Sequence, residues 1–304
     1  MRKKQSILRQ FQLHWQLLVL VLPTLIYFII FHYIPMYGVQ IAFKNYSAAK
    51  GIWASPFVGL FNFKMFFRSP NAMDIIFNTI ILSGYQCIVN FILPIILALM
   101  LNMLKNERMK KCIQTLTYAP HFLSTVVIVG MILIMFSPYN GLINEFVKLF
   151  GGESIAFMNE EKYFRHIFVW TGAWQSTGWG AIIYLSALAG IDPSLHEAGV
   201  VDGANRLQRM WHIDIPGILP TATLLLILGV GNIMSLGFEK AYLMQNAMNN
   251  NVSEIISTYV YKRGLLNSQY GFSTAVGLFN SLCNVVLLVS ANFLGKKMSG
   301  VGLF

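Results

Sequence analysis

Long apolar runs alternate with short polar segments along most of this chain. Several runs reach about twenty residues, the length that a helix needs to cross the hydrocarbon core of a membrane. The predicted spans are 17–34, 75–104, 113–136, 166–188, 218–238 and 270–294. We therefore predict an all-α fold, a polytopic transmembrane helical bundle of about six spans.

The composition supports a membrane protein over a soluble one. Of the 304 residues, 56% are hydrophobic and only 11% are charged, whereas about a quarter of the residues are charged in a soluble domain. The net charge of +10 fits Lys and Arg in cytoplasmic loops, and no basic–aromatic interleaving indicates nucleic acid. Basic residues at both ends predict cytoplasmic termini. The predicted divisions are a cytoplasmic segment 1–16, a membrane domain 17–295 and a tail 296–304.

No motif for catalysis, metal binding or nucleotide binding is present in the sequence. The three cysteines form no C-x-x-C pair and the six histidines form no H-E-x-x-H motif. A phosphate-binding G-x-x-x-x-G-K-[ST] sequence is also absent. We expect no catalytic residue, no metal and no cofactor in this chain.

The segment 190–216 is polar and lies between two apolar runs. Asp192 is suited to cap a helix that starts at Pro193, and Asp202-Gly203 indicates a turn. Beyond it, Leu207 and Trp211 fall on one helical face. Such a helix–turn–helix suits docking into a partner's groove, although an interfacial helix lying on the bilayer has the same pattern.

The spacing within this segment distinguishes the two interpretations. Glu197-Ala198-Gly199, three residues, Gly203, nine residues and Ile213-Asp214-Ile215-Pro216 closely resemble the EAA motif of importer permeases in the ATP-binding cassette (ABC) superfamily. That motif reads E-A-A, three residues, G, nine residues, I-x-L-P. Gly199 and Ile215 depart from it, each by a small apolar change.

The resemblance implies a type I (MetI-like) ABC importer permease, in which this loop is a coupling helix that seats in a separate ATPase. ATP and Mg would then be bound by the partner ATPase dimer and not by this chain. The residues expected to couple to the ATPase are Glu197, Ala198, Gly199, Asp202, Gly203, Leu207, Trp211 and Pro216.

Three further segments resemble one subgroup of these permeases, which handles complex carbohydrates and polysaccharide fragments. They are GLFNF at 59–63, FEKAYL at 238–243 and EIISTYVYKRGL at 254–265. The resemblance implies an oligosaccharide substrate, a second homologous permease subunit and an extracellular sugar-binding lipoprotein. The location implied is the cytoplasmic membrane of a prokaryote, with membrane lipid around the bundle.

Span four is unusually polar and aromatic, which suggests a sugar path. Aromatic faces stack on sugar C–H groups, and amides bind hydroxyls. The candidates are Trp174, Gln175, Trp179 and Tyr184 in span four and Asn232 in span five. The alternative is that the tryptophans form an interface belt and the amides bond across helices.

Two other classes of membrane protein compete with a permease as interpretations of this sequence. An ion-coupled secondary transporter is the main alternative; it is expected to show broken helices and intramembrane charges. Every Asp, Glu, Lys and Arg lies outside the predicted spans, which disfavours it. A membrane-embedded enzyme needs clustered catalytic groups at depth, and no predicted span supplies them.

Overall fold

The computed structural model describes residues 7–235, 237–300 and 302–303, and most of these residues are helical. Within them, one isolated bridge between Lys44 and Phe57 is the sole extended pairing. Of the predicted terminal segments, residues 1–6, 301 and 304 lie outside the described residues. The α-helices are α1 Ile7–Phe28, α2 Ile34–Met36, α3 Gly51–Ala54, α4 Phe61–Phe67, α5 Ala72–Met103, α6 Glu107–Tyr118, α7 Thr125–Met135, α8 Leu142–Leu149, α9 Glu161–Ala189, α10 Pro193–Val201, α11 Arg206–Arg209, α12 Ile215–Gly231, α13 Phe238–Met244, α14 Asn250–Ser253, α15 Ile256–Tyr261 and α16 Tyr270–Ser299.

Four helical segments of the described chain are long and apolar enough to cross a membrane. They are Trp15–Phe43, Ala72–Met103, Arg206–Gly231 and Tyr270–Lys297. The pair Glu107–Phe122 and Thr125–Met135 makes a fifth if it is counted as one broken span. Helix α9, with 29 residues, is also long enough to span, and its polar middle explains why composition alone does not select it. If the bent pair and α9 are each counted as one span, six described segments correspond to the six predicted spans.

The bundle centres on two helix pairs, α5 with α9 and α12 with α16. Lipid tails are as apolar as leucine, so these contacts depend on close packing and small residues more than on escape from water. At one end Ala98 of α5, Ala181 of α9 and Ile218 of α12 are buried together. At the other end Phe164 and Phe168 of α9 pack into a second core.

The first span stands apart from the rest of the bundle. Its described side chains from Trp15 to Tyr37 are exposed, Leu20 by 74%. Only the 3-10 turn Tyr37–Phe43 that ends it packs on α16. Lipid or another subunit must therefore cover this apolar helix.

The predicted third span, 113–136, is not one continuous helix. It breaks after a 3-10 turn at Ala119–Phe122, and the two parts are bent by 101°. Pro120 in that turn removes a backbone N–H, and Ser124 starts the new helix by accepting a hydrogen bond from the Val127 N–H at 3.4 Å. The single helix predicted over 113–136 is thus interrupted at this turn.

The predicted fifth span, 218–238, is wrong at both ends. Its helix joins the preceding turn without a break, through a π-helical turn at Met210–Asp214. It ends at Gly231, and the described residues between Asn232 and Gly237 are not helical. Gly231 permits close approach to α16, because a Cβ there would lie 2.5 Å from Leu288 Cδ1.

Gly178 and Gly130 offer a matched test of the packing between α6 and α9. Gly178→Ala places a Cβ against the carbonyl oxygen of Thr117, whereas a Cβ at Gly130 meets open space. Both changes remove a glycine from a helix, which favours the helix by about 1 kcal/mol. Overpacking at Gly178 costs about 1–3 kcal/mol or more. We expect Gly178→Ala to lower the thermal unfolding midpoint in detergent by several degrees and Gly130→Ala not to lower it. Equal midpoints for the two variants would contradict this contact.

Candidate functional site: a coupling hairpin and a membrane cavity

Residues 190–216 form a helical hairpin whose ends are fixed by local hydrogen bonds. Asp192 accepts from the Ser194 N–H at 2.9 Å, and this hydrogen bond lowers the pKa of the Asp192 carboxyl. Gly203 makes the turn with a φ of 77°, which only glycine adopts at little cost. Asn205 and Gln208 then form a capping box at the start of α11. The Asp192 cap and the turn at Gly203 follow the sequence prediction, whereas the capping box at Asn205 was not predicted.

Gly199, where the resembled motif has alanine, allows the two arms of the hairpin to touch. A Cβ at this position would lie 3.2 Å from Arg209 Cδ and 3.5 Å from Ile213 Cδ1. The smaller residue therefore lets α10 pack directly on the side chains of the second arm.

Two further contacts attach α10 and its leading turn to the start of α12. His196 Nε2 lies 3.3 Å from the buried Asp214 Oδ1. Ile191 packs on Gly217, where a Cβ would be 2.5 Å from Ile191 Cδ1. Because these contacts join both arms to α12, the hairpin and α12 form one mechanical unit.

The hairpin exposes apolar side chains away from the bundle. Val201 is 86% exposed, Leu207 62% and Trp211 66%. Among the other candidate coupling residues, Glu197, Ala198, Asp202, Gly203 and Pro216 are exposed and Gly199 is half-buried. Exposed apolar side chains of this kind suit either a partner's groove or the bilayer interface.

A cavity of about 370 Å³ lies between α5, α9 and α12, next to the non-helical residues after Gly231. This volume is within the range of small-molecule sites. No lining side chain is ionised. The lining residues are Ser83, Gln86, Cys87, Asn90, Phe91, Pro94, Gly180, Ile183, Tyr184, Leu225, Leu226, Gly229, Asn232, Ile233, Ser235 and Gly237.

The structure brings together two of the five candidate path residues, Tyr184 and Asn232, which both line the cavity. The other three lie elsewhere on α9. Trp174 is half-exposed, and Gln175 donates to the carbonyl of Leu123 at 3.1 Å.

Trp179, the remaining candidate path residue on α9, lies beside the break between α6 and α7, as Gln175 does. Its ring stacks on His121 with centroids 4.5 Å apart. Together with the Gln175 hydrogen bond, this contact holds the broken span against α9.

The non-helical residues after Gly231 are held by two asparagines of α16. Asn284 Oδ1 accepts from the Met234 N–H at 3.0 Å, and its amide donates to Ser235 Oγ at 2.8 Å. Asn280 donates to the Met234 carbonyl at 3.1 Å. Unwound backbone at membrane depth is stable where its polar groups are bonded and where it lines a cavity, and both conditions hold here.

Sequence reasoning missed the polar residues that α5 contributes to the cavity. Ser83, Gln86 and Asn90 recur at three- and four-residue intervals, so they form a stripe on one helical face. The same signal, four-residue spacing, marks Asn280 and Asn284 on α16. A search for polar stripes within apolar runs would have found both sets.

Lys240 was also missed, because the predicted span ended two residues before it. Its side chain is buried, with 8% exposed. Its ammonium group donates to the Phe168 carbonyl at 2.8 Å and to Thr171 Oγ1 at 2.9 Å, both on α9.

Comparison with known families identifies one model that matches most of the chain. The model described as "Binding-protein-dependent transport system inner membrane component" matches residues 90–300.

Two curated relatives from Bacillus subtilis (strain 168) are similar over nearly their whole length. "Protein LplB" is 43% identical over 95% of this chain and 91% of its own length. "Polygalacturonan/rhamnogalacturonan transport system permease protein YteP" is 41% identical over 100% of this chain and 94% of its own.

A solved structure shares the fold. A chain of the bacterial alginate ABC transporter, in complex with an alginate pentasaccharide-bound periplasmic protein, superposes with a TM-score of 0.90 at 34% identity. The match covers 98% of this chain and 100% of that chain.

The variant Asn284→Leu tests whether the asparagines of α16 hold the non-helical segment beside the cavity. The change leaves the N–H of the buried Met234 without an acceptor, which costs about 1–3 kcal/mol. We expect amide hydrogen exchange in peptides covering 230–240 to accelerate roughly tenfold in hydrogen-exchange mass spectrometry. Ser281→Ala is the control, since Ser281 bonds only the Gly277 carbonyl of its own helix. Unchanged exchange in Asn284→Leu would show that the segment is held by other contacts.

Proposed function

Because this chain belongs to the family of binding-protein-dependent transport system inner membrane components, we propose that it forms half of the membrane pore of an oligosaccharide importer. The chain is a transmembrane permease of an ABC importer. The observation that carries the proposal is the exposed apolar hairpin at 190–216, joined rigidly to α12 beside a cavity. A docking surface and a substrate space are thus connected by one helix.

The energy for transport would come from a separate ATPase dimer, with ATP and Mg bound there. Closure of the ATPase subunits on nucleotide would push the hairpin. Because Gly199, His196 and Ile191 tie α10 and its leading turn to residues 209–217, that push would move α12 and so the wall of the cavity. The bundle would alternate between inward-open and outward-open states.

The substrate we propose is an oligosaccharide or a fragment of a polysaccharide. Support comes from two similar proteins, a polygalacturonan/rhamnogalacturonan permease and an alginate transporter in complex with a pentasaccharide-bound periplasmic protein. An extracellular sugar-binding protein would accordingly deliver the sugar to this chain.

A second homologous permease would complete the pore. The first span supports this proposal, because its described side chains are exposed and need a partner or lipid. The protein would lie in the cytoplasmic membrane of a prokaryote with both termini and the hairpin inside. The proposed divisions remain 1–16, 17–295 with the hairpin at 190–216, and 296–304.

Within the cavity, we assign sugar contacts first to Tyr184 and Asn232. An aromatic ring and an amide that line the same cavity suit a sugar's C–H face and its hydroxyls. Trp174, Gln175 and Trp179 remain candidates for a path on the other face of α9, where Gln175 and Trp179 also hold the bend after α6.

Coupling is tested by Glu197→Lys. Reversing an exposed charge on the docking hairpin should uncouple the two activities, so that ATP hydrolysis by the reconstituted importer persists while uptake falls at least tenfold. The control is Glu153→Lys, the same charge change at an exposed position on the loop between α8 and α9. Normal uptake together with normal substrate-stimulated hydrolysis in Glu197→Lys would sink the coupling assignment.

Alanine substitution of the candidate residues tests the proposed sugar path. Losing one hydrogen bond to the sugar costs about 1 kcal/mol, so Asn232→Ala should slow uptake roughly fivefold to tenfold with basal ATP hydrolysis and complex yield unchanged. Asn267→Ala, an exposed asparagine before α16, should behave as wild type. Trp174→Ala and Gln175→Ala measured alongside decide between the two faces of α9. Normal uptake in Asn232→Ala at all sugar concentrations would remove Asn232 from the path.

A further inference from the structure

A basic pocket of about 320 Å³ lies between the end of α5 and the second arm of the hairpin. Its lining includes three cationic side chains, Lys105, Arg206 and Arg209, and a single carboxylate, that of Asp214. None of the ion pairs found among the described residues includes any of the three cations. The pocket therefore carries a net positive charge, and its volume is within the range of small-molecule sites.

The polar groups of this basic pocket are not all bonded. The Nε atom of Arg209 is buried and has no hydrogen-bond partner in the structure. The side chain of Asp214 is only 7% exposed and lies 3.3 Å from His196 Nε2, so the carboxylate of the lining is already engaged by another residue. A buried donor without an acceptor is costly, and an anionic oxygen in the pocket would supply that acceptor.

The basic pocket lies at the depth of lipid headgroups. Ala72–Met103 and Arg206–Gly231 are two of the segments that are long and apolar enough to cross a membrane. The pocket forms where the first of them ends and the second begins. Because both apolar segments stop here, this level marks the boundary of the hydrocarbon core. In the proposed topology it is the cytoplasmic boundary.

An exposed apolar face of α5 leads to the basic pocket. Ile92, Ile96 and Met100 follow one another at four-residue spacing, so they lie on one side of the helix. They are 45%, 45% and 62% exposed. Met103 and Leu104 continue this side and line the pocket itself. A cationic pocket at the end of an apolar face matches a phospholipid, in which a phosphate is attached to acyl chains.

We propose that the basic pocket binds the headgroup phosphate of an anionic phospholipid, whose acyl chains lie on the exposed face of α5. The guanidinium groups of Arg206 and Arg209 hold the phosphate oxygens, for which their paired planar donors are suited. Lys105 adds a third positive charge from the end of α5. Basic pockets between spans on the cytoplasmic side suit anionic headgroups in general. The bound lipid bridges α5 and the second arm of the hairpin.

Lipid retention tests this site directly. The full chain, with the subunits that accompany it, is purified in detergent and mixed with equal amounts of phosphatidylglycerol and phosphatidylcholine that have the same acyl chains. Native mass spectrometry then counts the bound lipids. We expect wild type to retain phosphatidylglycerol roughly tenfold over phosphatidylcholine, since each basic residue near an anionic lipid contributes about a fivefold gain.

The double variant Arg206→Gln with Arg209→Gln removes two charges from the pocket and should bring this ratio close to one. Its control is Lys296→Gln with Lys297→Gln, which removes the same charge at exposed positions at the end of α16, another candidate span. The control should keep the wild-type ratio. Equal losses in the two double variants would mean general attraction to a basic surface, and the site would be overturned.

Asn102→Asp is a second variant, which keeps both arginines. It places a carboxylate in the lining of the basic pocket, where it competes with the phosphate for the same cations. We expect it to lower the preference for phosphatidylglycerol roughly fivefold, the gain of about one charge. This variant decides the question if the arginine variant does not assemble.

The remaining outcomes identify other occupants, and each of them overturns the lipid assignment. Equal retention of the two lipids by wild type, with a raised thermal unfolding midpoint in inorganic phosphate alone, would mean a site for free anions. A double arginine variant that keeps its preference for phosphatidylglycerol but no longer co-purifies with an ATPase would mean that the pocket faces that subunit. Lipid retention is measured without transport, so a failure here leaves the proposed function as an importer intact.

Discussion

The architecture depends on one constraint: backbone N–H and C=O groups inside a membrane must find partners within the protein. Helix α12 ends at Gly231, part-way along the bundle, and frees several such groups. The two asparagines of α16 bond the N–H and the C=O of Met234, and Asn284 also donates to the Ser235 hydroxyl. The non-helical segment after Gly231 therefore forms one wall of the cavity, beside α5 and α9. It also redirects the chain into α13, which carries Lys240 against the face of α9.

The hairpin could be predicted in detail because its determinants are local. A capping aspartate, a proline at the first helical position and a glycine in the turn each act within four residues. The long spacing of its motif then indicated the family. What the spacing did not show is why Gly199 replaces alanine, since that depends on Arg209 and Ile213 lying across from it.

The cavity could be predicted only in part, because helical periodicity does not tell which faces meet. The aromatic content of α9 drew attention to Trp174 and Trp179. The helix turns about 100° per residue, so only Tyr184 of that set reaches the cavity with Asn232. The break at Ala119–Phe122 gave Gln175 and Trp179 other contacts that no single-helix pattern reveals. The burial of Lys240 escaped notice because it depends on the space left by Gly172, a residue on another helix.

The exposed surfaces also have a consequence for a subunit that is not assembled with the proposed partner subunits. Such a copy presents Val201, Leu207 and Trp211 to the aqueous phase and an unpaired first span to lipid. These features are the ones that chaperones and membrane proteases detect. Under the proposed function, production of this subunit beyond the supply of its partners should therefore end in clearance, and the subunits would have to be made in matched amounts.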